Sequence, residues 1–557
     1  MKFSRSSLLT LGAIVSLVLG IILRFAFLNR HELWYDEALS VLLASGQRLS
    51  YQAPETVPVA LKTYSALLQI PAESGLGDII ETFKNLLKGL LGDPHPPLFY
   101  LSQQVWMRGL GNGVAAMRSL VVLTSLVTIA LSYQLGKLVL GRQGGLLLSA
   151  LLALNPFFLA HSLNLRMYTL LVFWTVLSQW SLLALIEQTA RGDRQPLRRF
   201  GLLGLLAIAI AGGLLSQYLF AYSLLALAVL AVTLGRRRWL QYGLALAAGV
   251  VLALPWVLWG TRQQINNRSD VLSQISEAGG WLEAALRHLQ GIAQTLASQL
   301  VLGHWVTGMA PLEAAIKPAA VLTGLGVMVG LLVCLWGLYR QREYRLLLIS
   351  FVLGILPLLI ALGLDIVTYK FTVGFGWGRS LIVALPGCLL LITSWLMRAT
   401  GRWQMPLSLG LLTLYLAIGA GDFTLRDRAM FQTANRWVGR APSQSTLLVM
   451  NSKAWGNVAR LAYYVNPDYS VDLLAVPPQT LPAALADVLD ADARYQRVIW
   501  LNAQDPVWAA PQTAAEANQL EQTVAAVLDR YYALAETASL SGTMDIDQFI
   551  LRLYESL

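Results

Sequence analysis

Residues 8–28 read LLTLGAIVSLVLGIILRFAFL, and the hexapeptide LWYDEA follows at residues 33–38. The apolar run is long enough to cross the hydrocarbon core of a bilayer as one helix. Just beyond its end, the adjacent acids Asp36 and Glu37 stand beside aromatic residues, where carboxylates are costly to hold at a membrane surface. A third acid opens the segment DPHPPL at residues 93–98. We therefore expect a membrane protein with a reactive site at the rim of its membrane domain.

The composition agrees with a membrane protein over most of the chain. Of the 557 residues, 56% are hydrophobic and 13% are charged, and the mean hydropathy is +0.56. The net charge is +10, yet residues 421–557 carry 10 Lys/Arg and 15 Asp/Glu, so the basic excess belongs to residues 1–420. In a polytopic protein, such an excess indicates orientation charges and not a nucleic-acid partner. The two cysteines, Cys334 and Cys388, lie in apolar segments and suggest neither disulfides nor a metal site.

Apolar stretches recur up to residue 420 and predict a mostly α-helical, polytopic transmembrane domain over residues 1–420. About eleven spans are expected, and up to thirteen if shorter segments also cross. The stretches cover residues 8–28, 115–136, 144–161, 168–187, 200–216, 218–234, 239–260, 316–338, 346–364, 380–397 and 405–420.

Charges in the connections predict the orientation of these spans. When the spans are threaded alternately, the short connections rich in arginine all fall on one side, which the positive-inside rule makes cytoplasmic. The N-terminus is then cytoplasmic, in a plasma or inner membrane. The connection at residues 29–114 and the C-terminal tail are extracytoplasmic. No small-residue cleavage site follows the first apolar segment, so we expect it to be a retained span.

The outer connection, residues 29–114, has helical patterns of its own. Apolar residues recur at helical spacing over residues 76–91, opposite charged residues, which predicts an amphipathic helix lying in the membrane interface. Residues 97–110 are apolar but short for a span, so they favour a juxtamembrane or re-entrant helix.

Beyond residue 420 the pattern changes, and residues 421–557 are predicted to form a soluble α/β domain. Strands are expected at residues 445–450, 471–476, 497–501 and 547–553, and helices near 454–465, 481–490 and 512–537. The region has no glycine-rich phosphate loop. A lid or recognition domain over the membrane site is therefore favoured over an independent enzyme.

The acids are the first candidates for chemistry. Transferring a group to a hydroxyl needs a base near the acceptor oxygen and positive charge near the leaving group. In a strand or loop Asp36 and Glu37 would point apart, so that one could face the acceptor while the other binds a metal or the scaffold. Asp93 is the third candidate. The alternative is that these residues are helix caps or solvated loop acids.

Cations near the outer membrane face would supply the positive charge that such a site needs beside the leaving group. Arg166 interrupts an apolar stretch, where a charge must be paired or line a cavity. Lys370 and Arg379 flank an aromatic and glycine-rich segment, and Arg262 follows another span. All four are candidates for binding a lipid phosphate, and the alternative is that they snorkel to headgroups.

The five histidines show no metal-ligand spacing. His95 lies two residues from Asp93 and is the best histidine candidate for lining the site. No cofactor is certain from the sequence. A divalent cation held by Asp36, Asp93 and phosphate oxygens is left open as a metal site.

At these residues the chain resembles the GT-C type polytopic glycosyltransferases that use a polyprenyl-phosphate sugar. The branch is the one of protein O-mannosyltransferases and the aminoarabinose transferases that modify lipid A (glycosyltransferase family 39-like). The resemblance covers the membrane region in order. It lies in Asp36-Glu37, DPHPPLFY at 93–100, Arg166-Met167-Tyr168, Gln217-Tyr218, LPW at 254–256, and Arg379 followed by LPG at 385–387.

The resemblance implies an inverting transfer from a polyprenyl-phosphate sugar to an acceptor hydroxyl on protein, lipid or polysaccharide. Asp36 would be the general base, with Glu37 and Asp93 supporting the acceptor or a metal. The cations named above would hold the donor phosphate. The residues expected to line the site are Trp34, Tyr35, His95, Tyr168 and Tyr218.

The chain departs from the family pattern at Asn164, Gln217 and Ser380, where a glutamate, a histidine and a tyrosine are usual. These changes leave the metal and the donor open. Two other function classes also remain. A transporter or flippase of lipid-linked glycans would show repeats or midplane charges, whereas the charges here cluster at one rim. A non-catalytic glycan binder fits the departures, but the retained acidic pair favours the glycosyltransferase.

Overall fold

The computed structural model describes residues 5–55, 57–192, 195–267, 281–307, 313–426, 428–491, 495–506, 509–542 and 546–557. The helices of the first 424 residues are Arg5–Ala26, Tyr35–Ala44, Leu61–Leu67, Leu76–Gly89, Leu98–Leu110, Val114–Leu154, Pro156–His161, Tyr168–Ala190, Pro196–Ser216, Phe220–Leu234, Trp239–Trp256, Arg262–Asn267, Trp281–Ala297, Glu313–Arg340, Tyr344–Ser350, Leu356–Thr368, Leu385–Arg398 and Gln404–Thr424. Short 3-10 or π-helical segments join several of them, among them Val257–Thr261, Ser298–Leu302, Phe351–Ile355 and Phe375–Ala384.

The predicted membrane helices are present. Within the described residues, nine helices are long and apolar enough to cross a membrane. The longest, Val114–Leu154, breaks at Gly141, whose φ of 81° favours glycine. Gly145 then packs against Gly136, so the two arms of this helix fold back on each other. With these arms counted separately and the shorter Phe220–Leu234 added, the eleven predicted segments are all helical.

The acidic pair lies in a helix and not in the strand or loop considered from the sequence. Tyr35–Ala44 begins directly after Trp34, whose backbone N–H donates to Glu37 Oε2 at 3.1 Å. This bond satisfies one of the free N–H groups at the start of the helix. Successive side chains lie about 100° apart around a helix, so Asp36 and Glu37 still face different surroundings.

The outer connection also folds largely as its sequence predicts. The amphipathic helix expected at residues 76–91 is Leu76–Gly89, and the short apolar helix expected at 97–110 is Leu98–Leu110. The connection adds one feature that was not expected, since Val59–Ala60 joins the sheet of the C-terminal domain.

That domain is built on a six-stranded sheet in the order β1-β3-β2-β4-β6-β5. The strands are β1 Val59–Ala60, β2 Thr446–Met450, β3 Val471–Ala475, β4 Arg497–Ala503, β5 Tyr532–Ser541 and β6 Gln548–Ser556. Strands β3, β2 and β4 are parallel, and the remaining pairings are antiparallel. Its helices are Phe431–Gly439, Trp455–Tyr464, Leu481–Ala491 and Ala514–Leu528. The α/β class predicted for this region is therefore confirmed.

One helix boundary predicted in this domain is wrong. The sequence predicts a helix to residue 537, but the helix ends at Leu528 and β5 begins at Tyr532. The alanine-rich sequence there favours a helix, whereas pairing with β6 along the strand stabilises the extended form. The helix or strand propensity of a segment is a poor predictor for an edge strand whose conformation is stabilised by pairing with the neighbouring strand.

The sheet has two covered faces. Helix Trp455–Tyr464 packs on one face in a core that continues into the membrane bundle. Helices Leu481–Ala491 and Ala514–Leu528 cover the opposite face in a separate core. The first face therefore joins the sheet domain to the outer connection and to the segment that carries Asp36.

Candidate active site

Asp36 lies between two arginines that are far apart in sequence. Its Oδ2 is 3.9 Å from Nη2 of Arg166 and 3.6 Å from Nη1 of Arg379. The Asp36 side chain is 20% exposed, whereas that of Arg166 is 3% exposed. A carboxylate oxygen is thus reachable from outside, with two guanidinium groups within ion-pair range.

Arg166 sits in the turn between helices Pro156–His161 and Tyr168–Ala190. Its Nη1 donates to Ser40 Oγ at 3.1 Å and to Tyr100 Oη at 3.2 Å. Burial opposes the positive charge, but Tyr100 and Asp36 outweigh it and raise the pKa of Arg166. The guanidinium is therefore a fixed and permanently charged partner for Asp36.

Arg379 reaches the site from the irregular segment Phe375–Ala384. Gly376, Trp377 and Gly378 precede it and all have positive φ. The guanidinium carbon of Arg379 lies 5.3 Å from the centre of the Trp34 ring. The Arg379 side chain is 21% exposed, so this cation, like Asp36, is open to a ligand.

Asp93 and His95 form a second polar unit beside Arg166. Asp93 Oδ1 accepts hydrogen bonds from the backbone N–H of His95 at 3.1 Å and from His95 Nδ1 at 2.7 Å. Burial disfavours the charged form of Asp93, but His95 and Arg166 outweigh it and hold the Asp93 pKa below its usual range. Burial also lowers the pKa of His95, and Arg166 acts in the same direction, although Asp93 opposes them.

Glu37 is buried, and its carboxylate oxygens accept hydrogen bonds from other protein groups. Arg118 donates to its two oxygens, from Nε at 2.9 Å and from Nη2 at 2.7 Å. The backbone N–H of Leu165 donates to Glu37 Oε1 at 2.7 Å. Arg118 also donates to the backbone carbonyls of Leu28, His31 and Glu32. This buried pair therefore ties the segment before helix Tyr35–Ala44 to the turn that carries Arg166.

Arg118 was not among the residues predicted from the sequence. It lies near the start of the apolar helix Val114–Leu154. A charge in such a position needs a partner, which is the reasoning that singled out Arg166. The same feature, a charged residue within an apolar stretch, therefore marks Arg118 in the sequence.

Trp34 and Tyr35 are both buried against the site. Trp34 Nε1 donates to Asn164 Oδ1 at 2.8 Å. The Tyr35 ring packs on Gly456 of the C-terminal domain so closely that a Cβ on Gly456 would lie 2.7 Å from it. The aromatic residues beside the acids thus join the membrane domain to the sheet domain.

Tyr168 and Tyr218, both predicted to line the site, have different neighbours. Tyr168 opens helix Tyr168–Ala190, and its ring is 4.7 Å from that of His161. Tyr218 Oη donates to Gln264 Oε1 at 2.5 Å, and Gln264 Nε2 donates to the backbone carbonyl of His95 at 2.9 Å. Tyr218 is therefore connected to the Asp93–His95 unit through one intervening side chain.

The other two predicted cations differ in setting. Arg262 is exposed at the start of helix Arg262–Asn267. Lys370 follows helix Leu356–Thr368, and its backbone carbonyl accepts a hydrogen bond from His288 Nε2 at 3.2 Å. The structure brings Arg166 and Arg379 to Asp36, and it places Arg262 and Lys370 on separate segments.

The three residues that depart from the family pattern each make a hydrogen bond. Asn164 accepts from Trp34, as described above. Gln217 Oε1 accepts from the backbone N–H of Tyr218 at 2.9 Å. Ser380 Oγ donates to the backbone carbonyl of Thr372 at 3.0 Å. Asn164 therefore holds the Trp34 side chain, whereas Gln217 and Ser380 bond to the backbone.

The acids do not fit the divalent cation that the sequence left open. Asp36 Oδ2 has two guanidinium groups within 4 Å, which would repel a bound cation. Asp93 is already engaged by His95. Among the described residues, no group of three His, Cys, Asp or Glu side chains could hold a metal ion. The charge distribution therefore favours an anionic ligand beside Asp36.

The C-terminal domain is fastened to the segment before Asp36. The backbone N–H of Leu33 donates to Tyr464 Oη at 2.6 Å. Tyr463 Oη donates to the carbonyl of Asn112, and Ser65 Oγ donates to the carbonyl of Ala462, both at 2.6 Å. Helix Trp455–Tyr464 thus contacts both ends of the outer connection.

The fold and the charged group define an integral membrane protein with an acid–arginine site. Residues 94–259 match the family model described as dolichyl-phosphate-mannose-protein mannosyltransferase. The resemblance to GT-C glycosyltransferases is thereby confirmed over that part of the chain. It supports a membrane glycosyltransferase. The comparison with curated proteins gives no match.

Solved structures of similar proteins include three with low sequence identity. The oligosaccharyltransferase of Archaeoglobus fulgidus, in complex with Zn and sulfate, is 11% identical with a TM-score of 0.47 over 88% of this chain and 68% of that one. ArnT from Cupriavidus metallidurans, bound to undecaprenyl phosphate, is 12% identical with a TM-score of 0.41 over 97% of each chain. AglB of Archaeoglobus fulgidus, with an inhibitory peptide and a dolichol-phosphate, is 11% identical with a TM-score of 0.45 over 94% and 72%.

Proposed function

We propose that this protein transfers a sugar from a polyprenyl-phosphate donor to an acceptor hydroxyl. The observation that carries the proposal is the placement of the accessible Asp36 carboxylate between Arg166 and Arg379. A base and two fixed cations at one point are what a transfer with a phosphate leaving group requires. The family-model match over residues 94–259 supports the same class of donor.

In the proposed reaction, Asp36 takes the proton of the acceptor hydroxyl. The acceptor oxygen then forms a bond to the anomeric carbon while the bond from that carbon to the phosphate oxygen breaks. The lipid phosphate leaves with the electron pair, and Arg166 and Arg379 stabilise its charge. Attack from the side opposite the leaving group inverts the anomeric centre.

Other predicted site residues receive supporting roles in this scheme. Glu37, through Arg118, holds the segment before Asp36 and is a positioning residue. Asp93 and His95 orient Arg166 from its other side, since Arg166 Nη2 is 3.4 Å from His95 Nε2. The aromatic and tyrosine side chains proposed to line the cleft are Trp34, Tyr35, Tyr168 and Tyr218.

We also propose an extracytoplasmic site. Along the chain, candidate membrane spans separate the arginine-rich connections from Asp36, Arg166 and Arg379. The positive-inside rule places arginine-rich connections on the cytoplasmic side, so the three site residues would lie on the other side. The N-terminus is then cytoplasmic and the sheet domain of residues 421–557 extracytoplasmic. The lipid-linked donor would reach Asp36 from the bilayer, and the acceptor from the outer solution.

The test is direct turnover by purified protein in nanodiscs. The protein is incubated with a panel of short-chain polyprenyl-phosphate sugars and candidate acceptors, and mass spectrometry follows the free polyprenyl phosphate. Its release together with a glycosylated acceptor is the expected result. Donor binding without release would contradict transfer and favour the flippase or the non-catalytic binder.

A further inference from the structure

The C-terminal sheet domain has a cleft at the carboxyl ends of β2 and β4. The cleft is partly open, and the space in and just above it that protein atoms do not occupy, open solvent included, is about 500 Å³. Its polar or aromatic lining includes Asn451, Trp500, Asn502, Gln504, Asn518 and Glu521. Three prolines and several aliphatic side chains complete its walls.

The position of the cleft in the sheet is itself informative. The helix after β2, Trp455–Tyr464, packs on one face, and the helix after β4, Ala514–Leu528, packs on the other. Between two such neighbouring parallel strands the connections diverge and leave a crevice. In α/β sheets, ligands bind in the crevice beyond the carboxyl ends of the strands at this point.

The polar groups of the cleft form a connected array. Asn451 Nδ2 donates to Asn502 Oδ1 at 2.7 Å, and Asn502 Nδ2 donates to Glu521 Oε2 at 2.8 Å. Arg552 donates to the other oxygen of Glu521. These bonds fix the orientation of the Asn451 and Asn502 amides. The cleft therefore presents donors and acceptors in set positions.

Trp500 lines the cleft with a buried indole whose N–H is unsatisfied within the described residues. The residue is 1% exposed, and its indole Nε1 is buried without a hydrogen-bond partner among the described residues. Arg552 lies opposite Trp500 in β6, with its guanidinium carbon 4.8 Å from the centre of a Trp500 ring. A buried N–H that lacks a partner costs free energy, which a bound acceptor atom would recover.

We propose that this cleft binds a neutral saccharide. Vicinal hydroxyls both donate and accept, which matches amides and a carboxylate held in fixed positions. The apolar face of a sugar ring matches the proline and aliphatic walls. An anionic ligand fits less well, because Glu521 is the charged residue among the described residues that line the cleft, and the neighbouring Arg552 is already paired with it. The proposal concerns binding alone, so it stands or falls separately from the proposed transfer.

The test measures glycoside binding to the full-length protein in nanodiscs by saturation-transfer NMR. The probes are the methyl glycosides of glucose, galactose, mannose and N-acetylglucosamine. Asn518→Ala removes a cleft residue, and Gln519→Ala is its matched control, because both side chains are exposed on one helix and only Asn518 lines the cleft. Trp500→Phe keeps an aromatic ring and removes the N–H.

At least one glycoside is expected to bind. Asn518→Ala and Trp500→Phe should each raise its Kd by about three- to tenfold, as expected for one lost hydrogen bond. Gln519→Ala should leave the Kd unchanged. The proposal is overturned if no glycoside binds, if Asn518→Ala binds as the wild type does, or if inorganic phosphate displaces the glycoside. Unchanged Asn518→Ala binding is decisive, since this exposed substitution does not threaten folding.

Discussion

Asp36 and Glu37 are adjacent in the chain, yet their carboxylates meet different partners. Asp36 is 20% exposed and faces Arg166 and Arg379, whereas Glu37 is 1% exposed and is paired with Arg118. One carboxylate is available to a ligand and the other is enclosed in the scaffold. This difference separates the chemistry of the pair from its structural role, and substitutions can test the separation.

Glu37→Gln should destabilise the protein. The substitution leaves the buried Arg118 guanidinium without its countercharge, and breaking one partner of a buried pair costs about 3 kcal/mol. We expect a clearly lower Tm in detergent, measured by scanning fluorimetry. Asp36→Asn is the matched control, because Asp36 is partly solvated, and its Tm should stay near that of the wild type. Equal Tm losses for the two variants would contradict the division of roles.

Arg379→Ala should weaken donor binding. Arg379 is a partly exposed cation beside Asp36, and a hydrogen bond to a charged group contributes enough that its loss raises Kd about tenfold. Isothermal titration with a short-chain polyprenyl phosphate measures this change. Arg262→Ala is the control, since Arg262 is exposed on a separate helix, and its Kd should remain within about twofold of the wild-type value. The reverse order of effects would move the phosphate site to Arg262.

Stability should fall as the pH is lowered, in part through His95. Its pKa is lowered in the folded protein from the usual value of 6.5, so below that pH the unfolded chain binds a proton that the folded one does not. Asp93 acts in the same direction at lower pH, because its pKa is below the usual 3.8 and its contribution is lost as the pH falls through the folded value.

The contribution of His95 can be isolated by comparing Tm with that of His95→Gln between pH 7.5 and 5. Tm of the wild type should decline more steeply over this interval than Tm of the variant. Other buried histidines, such as His31 with a pKa lowered to about 3, remain in both proteins and cancel. Parallel pH profiles would show that His95 does not titrate differently on unfolding.

Tyr464→Phe should loosen the contact between the sheet domain and the segment before Asp36. The substitution removes the acceptor of the Leu33 N–H, at a cost of about 1 kcal/mol. We expect a lower Tm together with faster hydrogen exchange in residues 31–37. Tyr531→Phe is a matched control, because Tyr531 bonds to Asp490 on the exposed surface of the same domain. Exchange at 31–37 that is unchanged in Tyr464→Phe would contradict this coupling.

The membrane helices could be predicted because long apolar runs have few other stable solutions in lipid. Residues 8–28 and 405–420 correspond to single helices. The strands of the C-terminal domain were harder to predict where pairing with another strand, and not the periodicity of the sequence, determines the extended conformation. β1 has two residues and is formed from the outer connection, and β5 follows a helical sequence pattern. Both depend on partners distant in the chain.

The site, like the fold, could be predicted from the sequence only in part. Asp36, Arg166 and Arg379 stand out in the sequence because charge at a membrane rim needs a reason. The sequence does not reveal that these three residues lie close together, because their proximity depends on how helices 130 or more residues apart pack together. The different roles of Asp36 and Glu37 also follow from Arg118, whose contact with Glu37 spans 81 residues.

The Asp36→Asn substitution decides whether Asp36 is the base of the proposed transfer. Turnover is measured as polyprenyl phosphate released in nanodiscs, and donor affinity is measured on the same preparation. We predict that turnover falls by about 100-fold or more while donor binding and Tm stay near wild-type values. Near-normal turnover by Asp36→Asn would contradict the assignment, and the base would then have to be another residue.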